Sequence, residues 1–170
     1  MRIACWQDVC CEVLQAVSVG TVKNLSSQYI YTHALQGVDA HPGQILVHSP
    51  KIKYQEREKG YRMNHIGTRE IATERLTLRR FEIEDAENMF YNWANDPEVT
   101  KYLTWPAHES VDTTETILKE WISKYDEKDF YQWAIELNDL EQPIGTISAI
   151  KTDERVESVE IGYCIGKRFW

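Results

Sequence analysis

The sequence predicts an α/β fold in which a mixed, mainly antiparallel sheet carries packed helices in the order β-α-α-β-β-β. Three observations point to it. A short run alternates polar and apolar residues, and two later stretches repeat apolar residues at helical spacing. Three further alternating runs then follow, joined by turns too short for a crossover. All of them lie within residues 63–170.

Arg75-Leu76-Thr77-Leu78-Arg79 alternates as a half-buried strand does. Glu84 and Asp85 then place negative charge where a helix starts. Ala86, Met89, Phe90 and Trp93 follow at i, i+3, i+4 and i+7, one helical face. Asn95-Asp96-Pro97 breaks that helix. Ser110 is a good N-cap for a second helix, whose apolar face is Ile117, Leu118, Trp121, Ile122 and Tyr125. In the next strand Tyr131, Trp133, Ile135 and Leu137 share one face, with Gln132, Ala134 and Glu136 on the other. Asn138-Asp139 and Pro143 turn the chain into a strand over 144–150, and residues 151–155 read as a charged turn. The last strand spans 156–165. Val159, Ile161, Tyr163 and Ile165 line one face of it, and Glu160, Gly162 and Cys164 the other.

The chain has 170 residues, enough for one domain and an attached segment. Six Trp, nine Tyr and four Phe supply the apolar surface of a real core. No apolar run approaches the length of a membrane span, and Asp8 and Glu12 interrupt the only stretch resembling a signal peptide, so a cytoplasmic location without membrane association is expected. The net charge of −8 argues against a nucleic-acid partner, which requires a basic patch to displace phosphate counterions. Cys5, Cys10, Cys11 and Cys164 lack the paired spacing of a zinc site, so no metal is expected.

Residues 1–62 are less regular. Val9, Val13, Leu14 and Val17 fit a short amphipathic helix, while Gly20, Gly37, Pro42, Gly43 and Pro50 interrupt the rest. The segment reads either as an appended extension or as translated upstream sequence before a start at Met63. The second reading rests on Glu56-Arg57-Glu58-Lys59-Gly60, a run that a purine-rich ribosome-binding stretch can encode.

Ile71-Ala72-Thr73-Glu74-Arg75-Leu76-Thr77-Leu78-Arg79-Arg80-Phe81, followed by Glu84-Asp85-Ala86, resembles the opening of the GNAT acetyltransferase superfamily. The likeness is strongest to the ribosomal-protein N-terminal acetyltransferases that modify alanine or serine α-amino groups. Asn95-Asp96-Pro97-Glu98-Val99, Tyr102-Leu103, Pro143-Ile144-Gly145-Thr146-Ile147 and Glu160-Ile161-Gly162-Tyr163-Cys164-Ile165-Gly166 continue it in order, over residues 68–170. The resemblance implies transfer of acetyl from acetyl-CoA to an amine, such as a protein N-terminus, by direct attack in a ternary complex.

That chemistry needs a neutral amine, hence a base or a water chain, and a donor for the oxyanion. By resemblance, the pantetheine of acetyl-CoA runs along the strand over 156–165, with Tyr163, Cys164 and Ile165 as backbone contacts. Glu160 on the same strand is the candidate base acting through water, or a strand residue paired with a neighbour. Trp105, in Thr104-Trp105-Pro106, either walls the acceptor site or plugs the core beneath its loop. His108 beside it reads as a surface histidine.

The family's pyrophosphate motif is Gln/Arg-x-x-Gly-x-Gly/Ala. Arg168-Phe169-Trp170 supplies its first three positions, and Lys167 and Arg168 offer positive charge to phosphates. The sequence is thus expected to be the front part of such a domain, truncated and impaired, with its fourth strand an exposed edge open to self-association. Two other readings stay open: a non-catalytic fragment acting as an association module, and a binding module seated in residues 1–62.

Overall fold

The computed structural model describes residues 44–47, 65–153 and 158–170. Their strands are β1 (Gln44–Val47), β2 (Ile71–Ala72), β3 (Leu76–Arg79), β4 (Gln132–Leu137), β5 (Gln142–Asp153) and β6 (Ser158–Ile165). They form one six-stranded sheet in the order β1-β6-β5-β4-β3-β2. Every pairing in it is antiparallel. The helix expected over Val9 to Val17 lies outside the described residues.

The β2–β3 turn is locked by one hydroxyl: Thr73 Oγ1 donates to the Leu76 carbonyl at 2.9 Å and accepts from Leu76 N at 3.0 Å. β5 runs on through Lys151 to Asp153, where the sequence suggests a turn. It does so by absorbing two extra residues. Ile144 is skipped in the pairing with β4 and Ile150 in the pairing with β6.

The expected first helix forms in two geometries. Glu82 N donates to Asp85 Oδ2 at 2.9 Å in a capping box, and a 3-10 turn (Ile83–Asp85) leads into α1 (Ala86–Met89). A π-helical turn (Phe90–Ala94) follows, closed by Asn95 N on the Phe90 carbonyl at 3.1 Å. The wider turn points three consecutive residues, Asn92, Trp93 and Ala94, inward. Asp96 then caps α2 (Pro97–Thr100), accepting from Glu98 N at 2.8 Å with Pro97 in the first turn, so the expected break is also a restart. α3 (Val111–Ser123) begins at the Ser110 cap, as the sequence indicates. Its expected inward residue Ile122 is exposed, and Leu118 and Thr114 are the buried ones.

Two cores lie on opposite faces of the sheet. Leu76, Leu78, Tyr131, Trp133, Ile135, Ile147, Ile161, Tyr163 and Ile165 belong to one. The other joins the helices to the sheet through Ala86, Met89, Trp93, Leu118, Ala134 and Cys164. Each fully buried aliphatic side chain contributes about 1.5–3 kcal/mol. Tyr125 ties the helix layer to the sheet, since its hydroxyl accepts from Phe81 N at 2.8 Å and donates to the Gln132 carbonyl at 3.0 Å.

The outer strand corrects an expectation. β6 is not an open edge along its first half, because β1 pairs with it from Val47↔Val159 to Gln44↔Gly162. The Gln-Ile-Leu-Val run of β1 has the apolar, β-branched character that suits such a place. Self-association through a fully exposed fourth strand therefore loses its structural basis over Val159–Gly162.

Candidate active site

Glu160, Gly162 and Cys164 alternate with Ile161, Tyr163 and Ile165 along β6, so the two sets face opposite cores. Cys164 belongs to the helix-side core, which places Glu160 on the helix side as well. Glu160 is half-buried, with Lys151 opposite it on β5 and Leu46 opposite it on β1. Burial pushes the Cys164 thiol up to about 12, so it is a packing group at neutral pH rather than a nucleophile.

The β6 backbone sorts the expected coenzyme contacts. Gly166 N donates to the Ile144 carbonyl at 2.8 Å, directing Gly166 toward β5. By alternation the peptide groups of Cys164 also turn toward β5, where Thr146 is its register partner. Those of Tyr163 and Ile165 turn to the outer edge, next in line after the β1 ladder ends at Gly162. Cys164 thus departs from the expected set, because its backbone is committed to the β5 ladder and its side chain to the core.

Trp105 sits in the loop between α2 and α3, half-buried against the helix-side core that contains Cys164 and Ala134. The structure thus brings Trp105 and Glu160 to the same side of the sheet. The loop is pinned at His108 by two contacts. His108 N donates to the Ala94 carbonyl at 2.8 Å, and His108 Nδ1 lies 2.8 Å from Thr114 Oγ1 on α3. The Trp105 and His108 rings are 5.0 Å apart, tilted by 40°. His108 is half-buried rather than fully exposed, and burial lowers its pKa.

Lys167 and Arg168 fall on a short 3-10 turn (Lys167–Phe169) just after β6, both exposed. Arg168 Nη2 donates to Gln142 Oε1 at 3.2 Å, and its guanidinium lies 4.5 Å from the Phe169 ring centre. Gln142 Oε1 also lies 3.4 Å from Asn92 Nδ2, which donates to the Pro143 carbonyl at 2.7 Å. Asn92 and Gln142 therefore hold the end of β6 in place. Nothing in the sequence marks them, since each looks like an ordinary polar residue. Gly166 fits the same joint: a Cβ there would overlap the Asn92 carbonyl oxygen. The clamped strand end thus presents two exposed cations, Lys167 and Arg168.

Residues 75–170 match the model of the acetyltransferase (GNAT) domain, and the chain belongs to that family. It is 34% identical over 100 residues to the uncharacterized N-acetyltransferase YoaA of Bacillus subtilis (strain 168). It is 33% identical over 100 residues to the uncharacterized N-acetyltransferase p20 of Bacillus licheniformis. Both matches take in 59% of this chain and 56% of the relative, so the chain spans a little over half the length of these relatives. In fold it is similar to a Vibrio cholerae protein assigned as a ribosomal-protein-serine acetyltransferase. The TM-score is 0.53 at 17% identity, covering 61% of this chain and 58% of that one. No helix among the described residues is long and apolar enough to cross a membrane.

Proposed function

We propose that the chain is an N-acetyltransferase domain that passes acetyl from acetyl-CoA to an amine, with protein α-amino groups as the acceptor class. Membership of the acetyltransferase (GNAT) family carries the reading. The likeness to a ribosomal-protein-serine acetyltransferase in fold agrees with the acceptor class. When bound, acetyl-CoA supplies the acetyl group as a thioester. The peptide groups of Tyr163 and Ile165 would meet its extended arm, where the Ile165 carbonyl already accepts from Trp170 Nε1 at 2.8 Å, and Lys167 and Arg168 would offer charge to its phosphates.

Glu160 serves as the base. From the helix-side face of β6 it takes, through water, the proton that the amine nitrogen sheds as it attacks. Trp105, on the same side, gives the acceptor chain an apolar wall. The test is direct. The full chain, incubated with acetyl-CoA and a peptide bearing a free N-terminus, should yield the N-acetylated peptide by mass spectrometry. A peptide unchanged under conditions where calorimetry shows acetyl-CoA bound would reject the transferase reading.

A further inference from the structure

Among the titratable side chains of residues 101–110, Lys101, Tyr102 and Glu109 are exposed, and His108 alone is partly buried. Three contacts fix its place: the Ala94 carbonyl on its backbone N–H, Thr114 Oγ1 on Nδ1, and the Trp105 ring beside its own. No hydrogen bond reaches Nε2 among the described residues. Thr114 is fully buried, and its hydroxyl has a second acceptor, the Ser110 carbonyl at 3.5 Å. When the Thr114 hydroxyl donates to the Ser110 carbonyl, Nδ1 carries the imidazole hydrogen and donates to Thr114 Oγ1. The Nε2 lone pair is then unused, next to an aromatic face that attracts cations.

We propose that His108 Nε2 receives the acceptor amine. The ammonium lies against Trp105, donates a hydrogen bond to Nε2 and gives it one proton. This deepens the transferase reading and rests on it. The proton balance is simple. One N–H bond of the ammonium breaks and an Nε2–H bond forms, leaving a neutral amine and an imidazolium that returns its proton to water. The amine nitrogen then forms the bond to the acetyl carbon as the carbon–sulfur bond breaks. Its surplus proton leaves through the water held by Glu160, and the departing sulfur takes one from solvent.

Burial alone lowers the ring's pKa from its ordinary 6.5, which favours the neutral form, with no charged side chain of the loop, α1 or α3 contributing. Protonation would set a cation against the ammonium. Amine binding should therefore be lost as pH falls through a midpoint below 6.5.

The experiment uses the full chain labelled with 15N at its histidine rings. The probes are a short peptide amide with a free N-terminal alanine and its N-acetylated twin. The neutral His108 ring should be the Nδ1–H form, and the free-amine peptide alone should shift the Nε2 signal. A ring found as the Nε2–H form, or an Nε2 signal unmoved at saturating peptide, overturns the proposal whether or not acetyl transfer occurs. In the transfer assay, His108→Gln should lower kcat/KM roughly a hundredfold below the amine's own pKa of about 8, and the loss should shrink above it. An unchanged pH profile in a folded His108→Gln chain would also overturn it. If Nε2 responds while the wild-type chain transfers no acetyl, the amine site stands and the transferase reading falls.

Discussion

Arg79 grips Asp85 as a fork: Nη1 donates to Oδ2 at 2.8 Å and Nη2 to Oδ1 at 2.9 Å. Its Nε donates to Glu136 Oε2 at 2.6 Å, so one guanidinium joins β3, the start of the helix layer and β4. Both carboxylates hold it charged, and its pKa lies above the usual arginine range. Arg79→Leu leaves the buried Asp85 carboxylate without a counter-charge. The expected loss is about 3 kcal/mol, read as a lower urea midpoint at unchanged slope. Lys119→Ala, which removes an exposed partner of Glu115, should cost well under about 1 kcal/mol.

Glu160→Gln keeps the shape of the side chain and removes the proposed base. Acetyl transfer by the full chain should fall about a hundredfold at neutral pH, with the acidic limb of its pH profile displaced. Trp105→Ala should instead raise the acceptor's KM while the calorimetric affinity for acetyl-CoA is retained. Because Trp105 is half-buried, its loss should also cost about 2 kcal/mol, less than a fully buried aromatic would. A Trp105→Ala chain that loses about 4 kcal/mol with an unchanged acceptor KM would make this residue a core plug.

Three glycines should respond differently to alanine. A Cβ at Gly145 meets the Cys164 carbonyl, and one at Gly166 meets the Asn92 carbonyl, both backbone atoms that cannot swing away. Gly145→Ala and Gly166→Ala should each destabilise by about 2–3 kcal/mol. At Gly162 the obstacle is the far end of the Ile150 side chain, which is 52% exposed and free to rotate. Gly162→Ala should cost under about 1 kcal/mol. Equal losses at all three sites would contradict the close approach of β5 and β6.

The Cys164 thiol gives a pH signature. Its folded pKa, pushed up to about 12, lies above the ordinary 9.0, so the unfolded chain loses this proton first. The contribution to stability is complete below pH 9 and fades as pH rises toward 12. With Cys5, Cys10 and Cys11 replaced by serine, the remaining thiol should resist a thiol reagent at pH 8 until the chain is unfolded. Rapid labelling of the native protein would show that Cys164 is reachable.

Much of the sheet was legible because alternation is a local property. The split of Trp133 and Ile135 from Ala134 was readable from sequence, as was the shared face of Glu160 and Cys164. The bulges at Ile144 and Ile150 were not, since an extra residue in a ladder is defined by its partner strand. The π turn escaped for a similar reason: Asn92 turns inward to reach Pro143, a contact 51 residues away. At the candidate site, the pairing of His108 with Thr114 and the clamp of Arg168 by Gln142 depend on elements meeting in space. No spacing rule reports that.

The β1–β6 ladder bears on how the protein comes to be folded. Every other described pairing joins strands consecutive in the chain, whereas Gln44 meets Gly162 more than one hundred residues later. Closing so long a loop carries the largest entropy cost of any described ladder, so this pairing should form late. During synthesis β1 leaves the ribosome more than one hundred residues before its partner β6. Among the described strands, the earliest made should be the latest to dock.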